Sequence, residues 1–141
     1  MEVVRRVVKL AAAQGSRSLE LRGRVVEVSK SLIPRVVIYS VDCGDVKIRF
    51  DTLSDLLKLN VGDEVTITVG KEKPDYVRGE DYVAWGYVVS LRSGDKVGKV
   101  VISLWGYIVV LETTNAEVLK LFNYMDRVYF KVSRLGTSAG T

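Results

Sequence analysis

The sequence predicts an all-β domain, a small antiparallel β-barrel of about eight strands with two short helices, and three observations carry that prediction. Apolar and polar residues alternate through most of the chain from Leu19 onward, the period of a half-buried strand. Valine dominates those runs, and β-branched side chains fit a pleated surface better than a helix. The 141 residues suffice for one hydrophobic core and would starve a second.

The elements follow in order. In LELRGRVVEVS, Leu19, Leu21, Val25 and Val28 are interrupted by Gly23, where a long strand can bend or bulge. KSLIP is a turn, and because Pro34 cannot donate to a ladder the strand RVVIYSVD begins just after it. The CGD turn leads to DVKIRFD, with Val46, Ile48 and Phe50 on one face and Lys47 and Arg49 on the other. In TLSDLLKL the leucines at 53, 56, 57 and 59 are three to four apart, and Thr52 or Ser54 is placed to cap a short helix. NVGDEVTITVG returns to period two, and the polar KEKPDYVRGED is an exposed loop. The strand DYVAWGYVVSL, the turn RSGDKVG and the strands KVVISL and YIVVLE follow. In TTNAEVLKLFN, Val118, Leu119 and Phe122 have helical spacing behind a Thr114 or Asn115 cap, and DRVYFKVS is the closing strand. The domain plan is an N-terminal extension at 1–18, a barrel at 19–134 and a flexible tail at 135–141. MEVVRRVVKLA within the extension fits either an amphipathic helix or a valine-rich strand. Glycine kinks, short helices and this strand number suit a closed barrel of the OB type.

WGYVVSL at 85–91 and WGYIVVL at 105–111 are near repeats in unequal settings. Gly106 lies between two apolar runs that leave room only for a tight turn through Leu104, Trp105, Gly106 and Tyr107, which requires positive φ at the glycine. Gly86 sits inside a strand, where it relieves crowding or makes a bulge. Internal duplication is therefore not the reading.

Composition narrows the chemistry. Histidine is absent, which removes the commonest general base and metal ligand, and Cys43 is the single cysteine, so no disulfide or cysteine-rich metal site forms within the chain. Lys and Arg number 21 against 17 Asp and Glu, a net charge of +4 spread along the chain. No apolar run approaches the roughly 20 residues of a membrane-spanning helix, and the N-terminus lacks the pattern of an export signal, so a soluble, cytoplasmic protein with no membrane partner is expected. A single glutamine, Gln14, and few asparagines hint at a hot-living source.

Candidate sites are weighed against ordinary packing. Trp85, Trp105, Tyr82, Tyr87 and Tyr107 fit either a base-stacking platform or core and interface aromatics. Trp105, at a hairpin tip, cannot be buried in its own barrel and is the leading interface residue. Arg22, Arg24, Lys47 and Arg49 share a face that either meets phosphate or is simply solvated. The Pro34–Arg35 junction is a further docking candidate. The acid pairs Asp63–Glu64 and Glu80–Asp81 lack a second converging set and read as solvated, GDKVGK has the wrong spacing for a phosphate loop, and Cys43 is inert or merely exposed.

Four segments, KEKPDY (71–76), WGYVV (85–89), ISLWG (102–106) and MDRVYFKV (125–132), occur in the order and at spacings similar to archaeal members of the subunit 8 family of multisubunit RNA polymerases, whose archaeal member is also called the G subunit. The resemblance covers roughly Leu19 to Arg134. Eukaryotic relatives share less, chiefly a DYV strand, a serine-containing hairpin, an apolar strand ending at Leu111 and Glu112, and a basic end. The resemblance implies an OB-like barrel without catalytic activity, cofactor or metal, docked on the largest polymerase subunit and supporting assembly, with nucleic-acid contact allowed but not required. On that reading the partner-binding residues are Trp105, Gly106, Tyr107, Trp85, Pro34 and Arg35. Residues 1–18 and the tail have no counterpart. The alternative function is a free-standing OB-fold module that binds single-stranded nucleic acid; an enzyme is disfavoured by its missing chemical groups.

Overall fold

A computed structural model of the chain describes residues 8–13, 16–94 and 96–136. In chain order the elements are β1 (Val8–Ala13), β2 (Ser16–Lys30), β3 (Val36–Asp42), β4 (Val46–Leu53), β5 (Glu64–Gly70), β6 (Tyr82–Arg92), β7 (Gly98–Leu104), β8 (Tyr107–Thr113), α1 (Ala116–Leu119) and β9 (Arg127–Gly136). Every pairing is antiparallel, in the order β1-β2-β3-β4-β8-β7-β6-β9-β5, and β5 pairs again with β2. That last pairing closes β2 to β9 into an eight-stranded barrel, which removes most of the free edges of an open sheet. The expected OB-like, all-β architecture is what the chain adopts.

β2 makes the closure because it is long enough to serve two neighbours. Ser18 to Arg24 pair with β5, and Arg24 to Lys30 pair with β3 on the opposite edge. The register slips between Val25 and Glu27, so the bulge falls just beyond Gly23 rather than at it. Of the helix and the strand that the N-terminal valines allow, residues 8–13 take the strand, paired with β2 from Val8↔Leu21 to Ala13↔Ser16. Residues 1–7 of the predicted extension and 137–141 of the predicted tail lie outside the described residues.

Alternation delivers the core. In β4, Val46, Ile48, Phe50 and Thr52 are buried while Lys47 and Arg49 are exposed. Phe50 meets Phe130 edge-on with centroids 5.1 Å apart, and each such buried ring contributes about 1.5–3 kcal/mol relative to exposure.

One of the two expected helices does not form. Thr52 and Leu53 instead end β4, and residues 54–56 make a single turn, Leu56 N–H donating to Leu53 O at 3.0 Å, with Leu57 and Leu59 buried beyond it. The buried Tyr39 hydroxyl explains the difference: it donates to Leu57 O at 2.7 Å and accepts from Leu59 N–H at 3.1 Å, so the backbone groups that would propagate a helix are satisfied across the barrel. The other helix, α1, is one turn, capped by the Asn115 side chain accepting from Glu117 N–H at 2.9 Å.

Candidate docking surface

The β7–β8 hairpin is as tight as its sequence requires. Leu104 pairs with Tyr107, so the loop is Trp105 and Gly106, with φ of 57° and 108°. Both values are positive, as a two-residue loop that follows the strand twist demands. A Cβ on Gly106 would meet nothing within 4 Å, so the backbone conformation rather than crowding selects glycine. Trp105 holds an unfavourable left-handed conformation that costs a non-glycine residue about 1–2 kcal/mol. Two side chains brace the tip: Ser103 Oγ accepts from Gly106 N–H at 3.2 Å, and Asp51 Oδ1 accepts from Ile108 N–H at 2.7 Å.

β6 supplies the surface on which that tip rests. Its period of two sends Tyr82, Gly86 and Val88 inward and leaves Trp85 and Tyr87 on the outer face. Gly86 is the close-approach point: a Cβ there would collide with the Ser103 carbonyl oxygen and lie 2.8 Å from Leu104 Cα. The crowding explanation for this glycine is therefore right, while the β6–β7 bulge falls between Val88 and Ser90. With the hairpin drawn in, the Trp105 ring stands against Trp85 at 5.0 Å between centroids and an interplanar angle of 88°. Tyr87 lies 6.0 Å from Trp85 and 6.5 Å from Trp105, both edge-on. These are the offsets and tilts that ring quadrupoles favour. β9 adds a cation, because Tyr87 pairs with Arg127 and Trp85 with Tyr129: the Arg127 guanidinium sits 5.4 Å over Trp85 and 6.0 Å over Tyr129. A shallow groove continues beside Trp85 and Tyr129, lined also by Lys73, Tyr76, Arg78 and Asp81.

The aromatic residues expected to act together are divided by the barrel wall. Trp85, Tyr87 and Trp105 gather outside, whereas Tyr82 is buried 6.4 Å from Phe130 and Tyr107 packs against the core. Burial pushes the Tyr82 hydroxyl above its ordinary pKa. Tyr107 thus does not join the outer cluster, though it neighbours the tip. Pro34 and Arg35 are exposed in the β2–β3 connection, where Arg35 has φ of 68°, accepts from Ser54 N–H at 2.7 Å and lies 4.0 Å from Asp55. Strand directions put this connection and the Trp105 tip at the same end of the barrel, yet no hydrogen bond, ion pair or ring contact among the described residues links them. Leu32, fully exposed, and Ile33 next to it belong to a segment that its sequence marks only as a turn. Arg127 and Tyr129 are further members of the surface that the sequence reading misses, although the alternation of RVYFKV marks them as outward partners of buried Val128 and Phe130.

The basic face proves to be counter-charged. Glu64 lies 3.6 Å from Arg22 and 3.3 Å from Arg24; Arg24 stands opposite Asp42, which lies 3.5 Å from Lys47; Lys47 stands opposite Glu112, which lies 3.6 Å from Lys99. Charges alternate across β5, β2, β3, β4, β8 and β7. Each exposed pair contributes only a few tenths of a kcal/mol, roughly, and the belt offsets only part of the positive charge: Arg22 and Arg24 share Glu64, and Arg49, opposite Ser40 and Val110, has no carboxylate partner among the described residues.

The remaining polar groups are structural in their contacts. Cys43 is buried, and its thiol is pushed up to about 12 by desolvation, then by Asp42 and Asp45. Of the two expected states, inert and exposed, it takes the first. Asp63 accepts from Asn60 N–H at 2.9 Å and lies 3.5 Å from Arg134, and Asp81 accepts from Val77 N–H at 2.8 Å beside Lys131 at 3.8 Å. Among the described residues no three potential ligands converge on a metal position, and no helix is long and apolar enough to cross a membrane.

Comparison with known proteins agrees with the sequence resemblance. Residues 18–135 match the family model for the G subunit of DNA-directed RNA polymerase. The chain is 32% identical over 115 residues to the DNA-directed RNA polymerase subunit Rpo8 of Sulfolobus acidocaldarius, covering 79% of this chain and 93% of that protein. Among solved structures, a cytoplasmic molybdate-binding protein, ModG, with molybdate bound, aligns at 16% identity with a TM-score of 0.34, covering 81% of this chain and 89% of the other.

Proposed function

Since the chain belongs to the G-subunit family of DNA-directed RNA polymerase, we propose that it serves that enzyme as a non-catalytic part, docking on the largest subunit and steadying the assembly. Its being a polymerase subunit follows from family membership. The observation that carries the docking role is Trp105, 70% exposed yet seated edge-on against Trp85 in a braced hairpin. A large exposed ring held in one place loses little entropy on binding, and Trp, Tyr and Arg together are the composition of interface hot spots. The absence of histidine and the buried thiol support a role without chemistry of its own. We place it in the cytoplasm, where a polymerase works.

The outer aromatics and Arg127 also suit the stacking of single-stranded nucleic acid. The charge belt weighs against that reading, since phosphate contact draws on several unbalanced cations while Arg22, Arg24, Lys47 and Lys99 all face carboxylates, which leaves Arg49 on the belt and Arg127 beside the rings without one among the described residues. Purification of the tagged chain from its host at high salt separates the two. Polymerase subunits retained at equal stoichiometry are the expected result; nucleic acid held only at low salt, with no polymerase, would replace this function with the binding module.

A further inference from the structure

Beside the tryptophans the barrel wall has an open margin. β9 covers β6 from Tyr82 to Tyr87, but on the other edge β7 pairs with β6 only from Tyr87↔Ser103 onward. Val88 donates its N–H to Asp126 O at 2.9 Å and its carbonyl accepts from Met125 N–H at 2.7 Å, both on the β9 side. Backbone groups alternate edges along a strand, so Ala84 and Gly86 also turn toward β9, and Val83 and Trp85 turn their N–H and C=O groups toward the unpaired edge. Among the described residues no backbone partner reaches those groups.

Exposed edges are usually guarded by charge or proline, and Tyr82-Val83-Ala84-Trp85-Gly86 contains neither. Along the same margin stands the Trp105 ring. Arg127, stacked over Trp85, meets no carboxylate among the described residues, so the outer face is apolar with a positive border.

We propose that the Val83–Trp85 edge receives an extended segment of the partner polypeptide as an added β-strand, with an apolar side chain of that segment against Trp85 and Trp105 and an acidic one within reach of Arg127. This deepens the docking role and rests on the chain being assembled into the polymerase. A nucleic acid offers no ladder of N–H and C=O groups at strand spacing, whereas an extended polypeptide matches both the ladder and the side-chain pockets of an edge.

Amide hydrogen exchange on the full chain, free and in the purified polymerase, tests it at single residues. In the free chain the Val83 and Trp85 amides exchange quickly while Ala84 and Gly86 are protected; in the polymerase Val83 and Trp85 slow by about 100-fold or more. A chain that assembles normally while both amides stay fast overturns the edge assignment and leaves the docking role standing; a chain that never enters the polymerase overturns the docking role itself. Val83→Pro removes an edge N–H without touching the β9 ladder, so it is expected to keep the barrel folded and to weaken polymerase association by about tenfold or more. Folded Val83→Pro with undiminished association speaks against the proposal, as does a symmetric dimer of the free chain in which these amides are already protected.

Discussion

Trp85 and Trp105 stand edge to face, 5.0 Å between ring centroids, although they are twenty positions apart in the chain with the β6–β7 reversal between them. The two WGY segments are therefore neither a duplication nor independent packing units. The first places its tryptophan on the outer face of a strand, the second lifts its tryptophan over a turn, and Gly86 lets the hairpin come close enough for the rings to meet.

Trp105→Ala should separate binding from folding. The ring is mostly solvent-exposed, so its loss is expected to cost the free barrel no more than about 1 kcal/mol. Polymerase association is expected to weaken by about 2 kcal/mol, roughly 30-fold, as for a central interface aromatic. Denaturant titration and competition binding measure the two quantities, and unchanged affinity removes the tip from the interface.

The two glycines should respond differently to the same substitution. Gly86→Ala forces a methyl group onto the Ser103 carbonyl and is expected to destabilise by about 3 kcal/mol. Gly106→Ala meets open space and costs only the strain of positive φ, about 1–2 kcal/mol. Chemical denaturation of both variants checks the order, and a larger loss at Gly106 would mean that the hairpin sits farther from β6 than the Gly86–Ser103 approach requires.

Tyr39→Phe tests why residues 52–59 are not a helix. Without the hydroxyl, Leu57 C=O and Leu59 N–H lose their shared partner in a buried setting, an expected loss of about 1–3 kcal/mol. An unaltered denaturation midpoint would show that water or a rearranged turn satisfies them.

Strand identity was legible because burial on one face imposes period two, which β4 obeys throughout and β9 from Arg127 to Ser133. The false helix at 52–59 has a physical cause: leucines spaced for a helix are equally buried when a distant tyrosine ties down the backbone, and no local pattern reports Tyr39. Trp105 was legible as exposed from the tightness of its turn. Its seat on Trp85 was not, since that depends on β6, β7 and β9 coming together around Gly86 and Arg127. Arg22, Arg24 and Lys47 looked like part of a phosphate face because their carboxylate neighbours lie on other strands, visible only once the registers are known.

The charge belt predicts a salt-dependent penalty. Lys47→Glu sets a third negative charge between Asp42 and Glu112 and is expected to cost about 1 kcal/mol at low ionic strength. At about 1 M salt the screening length shrinks to roughly 3 Å and most of the penalty should vanish. Stability measured across a salt series checks this; a loss independent of salt would point to packing rather than charge.

Cys43 should be silent in the folded barrel and should shape its response to alkali. Its thiol is buried, so a thiol reagent at neutral to mildly alkaline pH is expected to label the chain only on unfolding. Its pKa is raised from the ordinary value of 9.0 to about 12, chiefly by desolvation. Below 9.0 the thiol is protonated in both states and the full stability is present. Between 9.0 and about 12 the unfolded chain releases its proton while the folded chain keeps it, so fewer protons are bound in the unfolded state and stability falls as pH rises. The loss is complete above about 12. Tyr39 and Tyr82, both raised by burial, add to the decline with the same sign. Cys43→Ala removes one titrating group, so its stability curve should fall less steeply above pH 9.0 even if the variant starts lower at neutral pH. Identical slopes for the two proteins would mean that the folded thiol ionises as readily as the unfolded one.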